Sequence, residues 1–239
     1  MSVGEPSEKL VQDYVSKFYR VRYSRCGFLY HAKIVTEMLD GARLSKNLTH
    51  KILDVGCGNG FVSQLYPNFD IIGIDISDGM LQNNPYVCKK ASAEAIPFED
   101  NHFDFVICRS LLHHLEDPIL GLKEMFRVLK PGGKWVCWDP NHNALYELIR
   151  HIFQKTDRFS HLHHSFNDES LYQMLVETGF KITEKRYIGY LAYPLLGFPD
   201  IIDFHIPRII GNFLIKIDDL ISKSWLRKLS WSLMVRATK

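Results

Sequence analysis

The stretch "KILDVGCGNG", residues 51–60, runs from a charged residue through a short apolar run to an acid, then sets glycine at every second position. A strand ending in Asp54 and followed by Gly56, Gly58 and Gly60 reads as a strand-to-helix turn at the carboxyl end of a parallel strand, where open α/β sheets bind ligands. A dinucleotide fold uses G-x-G-x-x-G, with the third glycine spaced for helix packing and the pyrophosphate over the helix N-terminus. Here the spacing is G-x-G-x-G and Phe61 follows, a weaker fit to a pyrophosphate. The next apolar run, "FDIIGID", ends in Asp75, 19 residues beyond Gly56. A carboxylate at the end of a second strand accepts hydrogen bonds from both hydroxyls of a ribose. Together the glycines and Asp75 point to a nucleoside with little negative charge on its tail.

The rest of the chain repeats this grammar. "FDFVICRS" and "GKWVCWD" are further short β-branched and aromatic runs, and "DPILGLKEMFRVLK" between them carries apolar residues at helical spacing. Strands that are apolar on both faces and alternate with helices predict a parallel sheet of α/β type. In "LKPGGK" (129–134) the proline stops the helix and the glycine pair allows a reversal into the next strand. "NDESLYQMLVETGF" predicts a helix capped at Asn167 or Asp168 and ending at Gly179. "KITEKRYIGYL" predicts a strand, and "LSWSLMVRATK" a closing antiparallel one. Residues 6–24 and 28–40 show helical spacing. "RIIGNFLIKIDDLISK" places Ile209, Ile210, Phe213, Leu214, Ile217, Leu220 and Ile221 at helical spacing. This pattern suits packing on the domain's own core, with a cap over an apolar substrate or a face resting on a membrane as the alternatives.

Composition narrows the functional classes. With 29 Lys+Arg against 27 Asp+Glu the net charge is +2, which lacks the basic excess expected of a nucleic-acid binder. The five cysteines are scattered without metal-ligand spacing and read as reduced thiols of a cytoplasmic protein. The N-terminus has no apolar signal region, and "YIGYLAYPLLGFP" is too short and broken to span a bilayer, leaving only peripheral membrane contact open.

"ILDVGCGNG", "IGIDIS", "AEAIPFEDNHFDFVIC", "LLHHLEDP" and "RVLKPGGK", in this order and spacing, resemble a class I S-adenosylmethionine (SAM)-dependent methyltransferase of the small-molecule type. The likeness is tight over about residues 48–139 and looser over "SFNDESLYQMLVETGF". It implies SAM as cofactor and a Rossmann-like, seven-stranded, mostly parallel sheet with helices on both faces. It further implies that main chain at Gly56 and Gly58 abuts the amino-acid moiety of SAM, with Asp54 helping to hold its ammonium. Asp75 would take the ribose, Ile76 and Met80 would pack on the adenine, and Ala93 would offer its N–H to the base. Where the family often has Asp, this chain has Ser92, a weaker acceptor for the adenine amino group, and Glu94 is the alternative.

A sulfonium methyl is already electrophilic, so the protein must mainly align a nucleophile with it. An oxygen nucleophile gains from a base, usually His. "CRSLLHHLEDP" follows the fourth strand and brings Arg109, Ser110, His113 and His114 beside the cofactor. By the resemblance, His113 is the expected base or orienting group and His114 supports the loop; the alternative is that both brace the turn. Asp139 and Asn141 stand where they would line the acceptor pocket or cap a turn. "SHLHHS" (160–165) lacks a Cys or carboxylate complement and reads as a substrate-facing loop; no metal is expected. "KFYRVRYSR" reads as part of a lid whose Arg20, Arg22 or Arg25, or a tyrosine, reaches the SAM carboxylate, with a solvated helix end or a basic-aromatic nucleic-acid contact as the alternatives.

The expected organisation is an N-terminal helical lid over 1–45 and a methyltransferase domain over 46–239, with cap insertions at about 141–166 and at 192–226, the second helical. The expected reaction methylates a small-molecule acceptor, at an oxygen of an apolar or lipid-linked metabolite such as a quinone, an isoprenoid or a lipid-linked glycan. The rivals are a non-catalytic SAM- or nucleoside-binding protein and an NAD(P)-dependent oxidoreductase.

Overall fold

A computed structural model describes residues 25–41, 49–143, 166–193, 195 and 207–239. Seven strands form one sheet: β1 (Lys51–Val55), β2 (Asp70–Asp75), β3 (Cys88–Lys90), β4 (Phe103–Arg109), β5 (Leu129–Pro140), β6 (Lys181–Ile188) and β7 (Ser232–Thr238). Their order is β3-β2-β1-β4-β5-β7-β6. The first five run parallel, while β7 lies antiparallel between β5 and β6. Six helices accompany the sheet in the described residues: α1 (Arg25–Gly41), α2 (Phe61–Leu65), α3 (Asp78–Gln82), α4 (Pro118–Val128), α5 (Asp168–Glu177) and α6 (Arg208–Ile221). The mostly parallel α/β sheet, the closing antiparallel strand and the Asn167 cap of α5 all match the sequence reading.

The unbroken apolar runs have a simple cause. Successive strand residues point to opposite faces, and both faces are covered. Leu53, Val55, Val106, Cys108, Trp135 and Cys137 feed one core with α4 and α5. Ile52, Phe105, Ile107, Val136 and Trp138 feed the other with Tyr30, Ile34, Val35, Met38 and Leu39 of α1. The described part of the expected lid is thus a sheet-covering helix. Residues 1–24, and with them Arg20 and Arg22, lie outside the described residues, as do the "SHLHHS" loop, most of the first expected insertion, and residues 194 and 196–206 of the second. "LKPGGK" differs from a simple reversal. Leu129 already pairs with Phe103 and Lys134 with Phe105, so Lys130–Gly133 bulge out of a continuous strand.

α6 meets the favoured expectation in part: Leu214 and Ile215 pack against the core, but a second apolar stripe faces outward. Ile209, Phe213 and Leu220 are 84%, 62% and 71% exposed. Gly211 and Asp218 are buried instead, and the Asp218 carboxylate accepts the N–H groups of Tyr190, Leu191 and Ala192 at 2.8, 2.8 and 3.1 Å. An acid that satisfies three main-chain donors therefore anchors the helix together with Leu214 and Ile215, leaving the second apolar stripe outward.

One side chain ties α1 to the sheet. Arg236 on β7 is buried and donates to the carbonyls of Met38, at 2.9 Å, and Glu37, near the helix end where carbonyls lack intrahelical partners. It also pairs with Glu184 on β6. Arg236→Met should therefore destabilise the fold by about 2–3 kcal/mol, read as a lower urea midpoint, by leaving those carbonyls and Glu184 unmet.

Candidate active site

β1 and β2 end side by side, and the loop after β1 folds back over them. Gly56 and Cys57 donate their N–H groups to the Ile74 carbonyl at 2.8 and 3.0 Å. Gly58 N–H reaches Asp75 Oδ2 at 2.9 Å, and Ser77 N–H reaches Asp75 Oδ1 at 2.9 Å. Gly56 and Gly58 adopt left-handed φ of 71° and 52°, a region that other residues enter at a cost. At Gly58 an added Cβ would find only Met80 Sδ, at 3.9 Å, leaving bare main chain open to a ligand. Gly60 serves packing instead, since a Cβ there would run into Asn84 and Tyr86.

Asp54 is the penultimate residue of β1 and is 2% exposed. No hydrogen bond reaches its carboxyl among the described residues. Burial pushes it up to about 7, the Arg109 guanidinium pulling down and Asp75 pushing further up. Arg109 itself lies 5.0 Å from the Phe61 ring centroid and 5.9 Å from that of Trp138, which fixes its position on the α1 side of the sheet. Met80 is buried where α3 starts, with Ser77 Oγ capping the Met80 N–H at 3.1 Å. Ile76 beside it is 44% exposed. Ser92 Oγ accepts the Glu94 N–H at 3.1 Å, closing a turn around the buried Ala93, and Glu94 Oε1 is engaged by the Asp117 N–H at 2.7 Å. The structure thus gathers Asp54, Gly56, Gly58, Asp75, Ile76 and Met80 around the ends of β1 and β2. Ser92 and Ala93 follow β3, beyond Asp75, whose carbonyl accepts the Ala91 N–H at 3.0 Å.

The other half of the site follows β4. Ser110 takes φ 49°, unusual for a residue with a side chain, and its N–H bonds the Trp138 carbonyl at 2.7 Å. This twist turns Leu111 over the glycine loop, where its methyls lie 3.0 and 3.1 Å from the position of a Cβ on Gly56. A single helical turn, Leu112–His114, comes next. Asp139, at the end of β5 and 0% exposed, holds that turn: Oδ2 accepts the Leu111 and Leu112 N–H groups at 3.0 and 2.9 Å, and Oδ1 meets His113 Nδ1 at 2.5 Å. Burial and the neighbouring His114, whose ring centroid is 3.9 Å away, hold His113 below the ordinary histidine range. His113 is buried and His114 half-buried.

Of the two roles legible for Asp139, the structure shows the capping one: it accepts the N–H groups at the start of the Leu112–His114 turn, and beyond that it meets His113, while Asn141 ties the end of β5 to Ser230 at 3.2 Å. Leu111 carried no sequence signal beyond hydrophobicity. Cys108, Cys137 and Asp139 lie close together, but the thiols are buried with pKa values raised by desolvation, and Asp139 is committed to His113.

The folded state keeps on Asp54 a proton that the unfolded chain releases near pH 4, so this group lowers stability as pH rises from about 4 to 7. Asp54→Asn should melt above the wild type at about pH 8 and level with it near pH 4, which scanning calorimetry of the ligand-free protein would show.

Comparison with known proteins agrees with this geometry. Residues 53–137 match a family model described as a methyltransferase domain. Demethylmenaquinone methyltransferase of Staphylococcus aureus (strain JH9) is 32% identical over 185 residues, covering 63% of this chain and 76% of that protein. The protein of the same name from Listeria monocytogenes serotype 4b (strain CLIP80459) is 28% identical over 213 residues, covering 75% and 87%. Among solved structures, a SAM-dependent methyltransferase from Thermotoga maritima superposes with a TM-score of 0.64 at 21% identity over 97% of both chains. The [4+2]-cyclase SpnF shares the fold too, with a TM-score of 0.58 at 19% identity over 88% of this chain and 80% of that one, so fold alone does not fix the reaction. The sequence matches go further than the fold, and the chain belongs to the class I SAM-dependent methyltransferases.

Proposed function

We propose that this enzyme methylates a small apolar acceptor of the quinol type, with His113 as the base that takes the acceptor's hydroxyl proton and oxygen as the nucleophile. The observation that carries the reading is the His113–Asp139 pair at 2.5 Å, held two residues beyond the leucine that covers the glycine loop. The names of the Staphylococcus and Listeria relatives support a quinone-related acceptor.

The residues present fit SAM. Asp54 is a buried acid without a hydrogen-bond donor among the described residues and beside a second acid, so a cation placed there restores its ionised form. We assign the SAM ammonium to Asp54, the amino-acid moiety to main chain at Gly56 and Gly58, and the ribose hydroxyls to Asp75, whose oxygens keep acceptor capacity after taking two main-chain N–H groups. Ile76 and Met80 flank the adenine, Ala93 offers its N–H to the base, Ser92 stands near it, and Arg109 balances the charge at Asp54. When bound, SAM supplies a sulfonium methyl that needs only an aligned nucleophile. His113, neutral at pH 7 because of its lowered pKa, accepts the proton that the acceptor hydroxyl loses as the oxygen attacks; Asp139 holds the ring and stabilises the imidazolium that forms. His114 packs against that ring at a tilt of 40° as a support. The oxidoreductase alternative loses ground on topology: the dinucleotide fold runs 3-2-1-4-5-6 in parallel, whereas here an antiparallel β7 separates β5 from β6.

Calorimetry with S-adenosylhomocysteine should give a strong binding heat in the wild type and none with Asp75→Ala, and affinity should rise from about pH 6 to 8 as Asp54 ionises. An Asp75→Ala protein that binds as well as the wild type refutes the cofactor assignment. With labelled SAM and a reduced demethylmenaquinone analogue, His113→Ala should turn over about 10²–10⁴-fold more slowly at unchanged S-adenosylhomocysteine affinity. Because His113 titrates low, wild-type kcat should stay level through neutral pH and fall only below the ordinary histidine range. A histidine that merely braces the turn would leave kcat and its pH profile unmoved when replaced by Gln.

A further inference from the structure

On α6, Ile209, Phe213, Lys216 and Leu220 recur at intervals of four, three and four, and Lys223 continues the series just past the helix end, so they form one outward stripe. Ile209, Phe213 and Leu220 are 84%, 62% and 71% exposed, and Trp225 in the turn that follows is 88% exposed. Leu229, one turn further, is also exposed. The helix needs none of these for its own attachment, which rests on Leu214 and Ile215 against the core, on Asp218 and on Lys33–Asp219 at 3.3 Å. The helix is therefore apolar on two sides, with Leu214 and Ile215 turned to the core beside Gly211 and Asp218 and a second stripe of aliphatic and aromatic side chains turned outward.

Charge says what this face meets. From Ile209 to Leu229 the basic residues are Lys216, Lys223, Arg227 and Lys228, all exposed, of which Lys228 pairs with Asp168 and Glu169 on α5, and the only acids are Asp218, buried, and Asp219, paired with Lys33. Lys216 and Lys223 make no ion pair among the described residues. Lysines within an apolar stripe can lay their methylenes along it and lift the ammonium to a phosphate layer, and an exposed Trp beside them suits the same boundary. Two copies of this chain meeting through the same stripe would instead bring like charges together. No helix among the described residues is long and apolar enough to cross a membrane.

We propose that the outer face of α6, with Trp225, lies in the surface of an anionic lipid bilayer. The helix sits in the plane of the interface, with Ile209, Phe213 and Leu220 in the acyl boundary and Lys216 and Lys223 at the headgroups. This goes beyond the reading of the active site and does not depend on it.

Co-sedimentation of the full chain with phosphatidylcholine vesicles, with and without phosphatidylglycerol at about a 3:1 ratio, tests it. Binding should favour the anionic vesicles and weaken with salt. Ile209→Ser with Phe213→Ser should abolish it at an unchanged melting temperature, because both side chains are already exposed. Lys216→Gln with Lys223→Gln should lower the partition on the order of tenfold or more. S-adenosylhomocysteine affinity should be the same in all variants, which separates failure here from failure of the methyltransferase site. No binding to either vesicle, or binding that survives the Ile209/Phe213 change, overturns the proposal. So does a concentration-dependent dimer lost with Phe213→Ser in a protein that ignores vesicles, which would assign the face to a second copy.

Discussion

The 2.9 Å hydrogen bond from the Gly58 amide to the Asp75 carboxylate ties the loop after β1 to the end of β2. Everything on the cofactor side depends on that tie. It lets main chain without side chains stand at the sheet edge, and it aims a carboxylate across the same opening. Gly56 and Cys57 add two bonds to the Ile74 carbonyl, so the loop is held at three points before any ligand arrives. A site preorganised this way spends little of its binding free energy on ordering itself.

The two acids at strand ends divide the labour by the face they occupy. Asp54 shares the α1 side with Arg109 and Trp138, and its carboxyl is left electrically unsettled. Asp139 belongs to the opposite side and is fully engaged by two amides and a histidine. Both are buried, and the difference between them lies in their donors. A buried acid with donors is a structural pin, whereas one without donors stores a demand for a cation. The first suits a group that must keep an imidazole in place, and the second suits a group that must recognise a ligand.

The sequence was most readable where geometry leaves few solutions. Alternating buried faces force continuous apolar runs on parallel strands, so β1, β2, β4 and β5 announce themselves, and glycines at every second position mark where main chain must stay bare. The role of Asp139 towards His113 could not be read, because an acid at the end of a strand looks the same whether it faces a substrate or a ring nitrogen. The orientation of α6 was hidden for a similar reason: periodicity tells that a helix has an apolar side, but only the contacts of Asp218 with residues 190–192 tell which side the domain holds. The left-handed turn at Ser110, which swings Leu111 over the glycines, left no mark in residue type at all.

The placement of β7 has a consequence for how the polypeptide is made. The last described strand in sequence is not the last in the sheet; it slots between β5 and β6, and among described strands β6 pairs with β7 alone. While the ribosome is still adding residues 189–231, β6 therefore has no neighbour to bond with, and the inner edge of β5 stands open. Such a nascent chain carries two adhesive borders at once, a hazard that a helper protein shielding strand edges during synthesis would relieve.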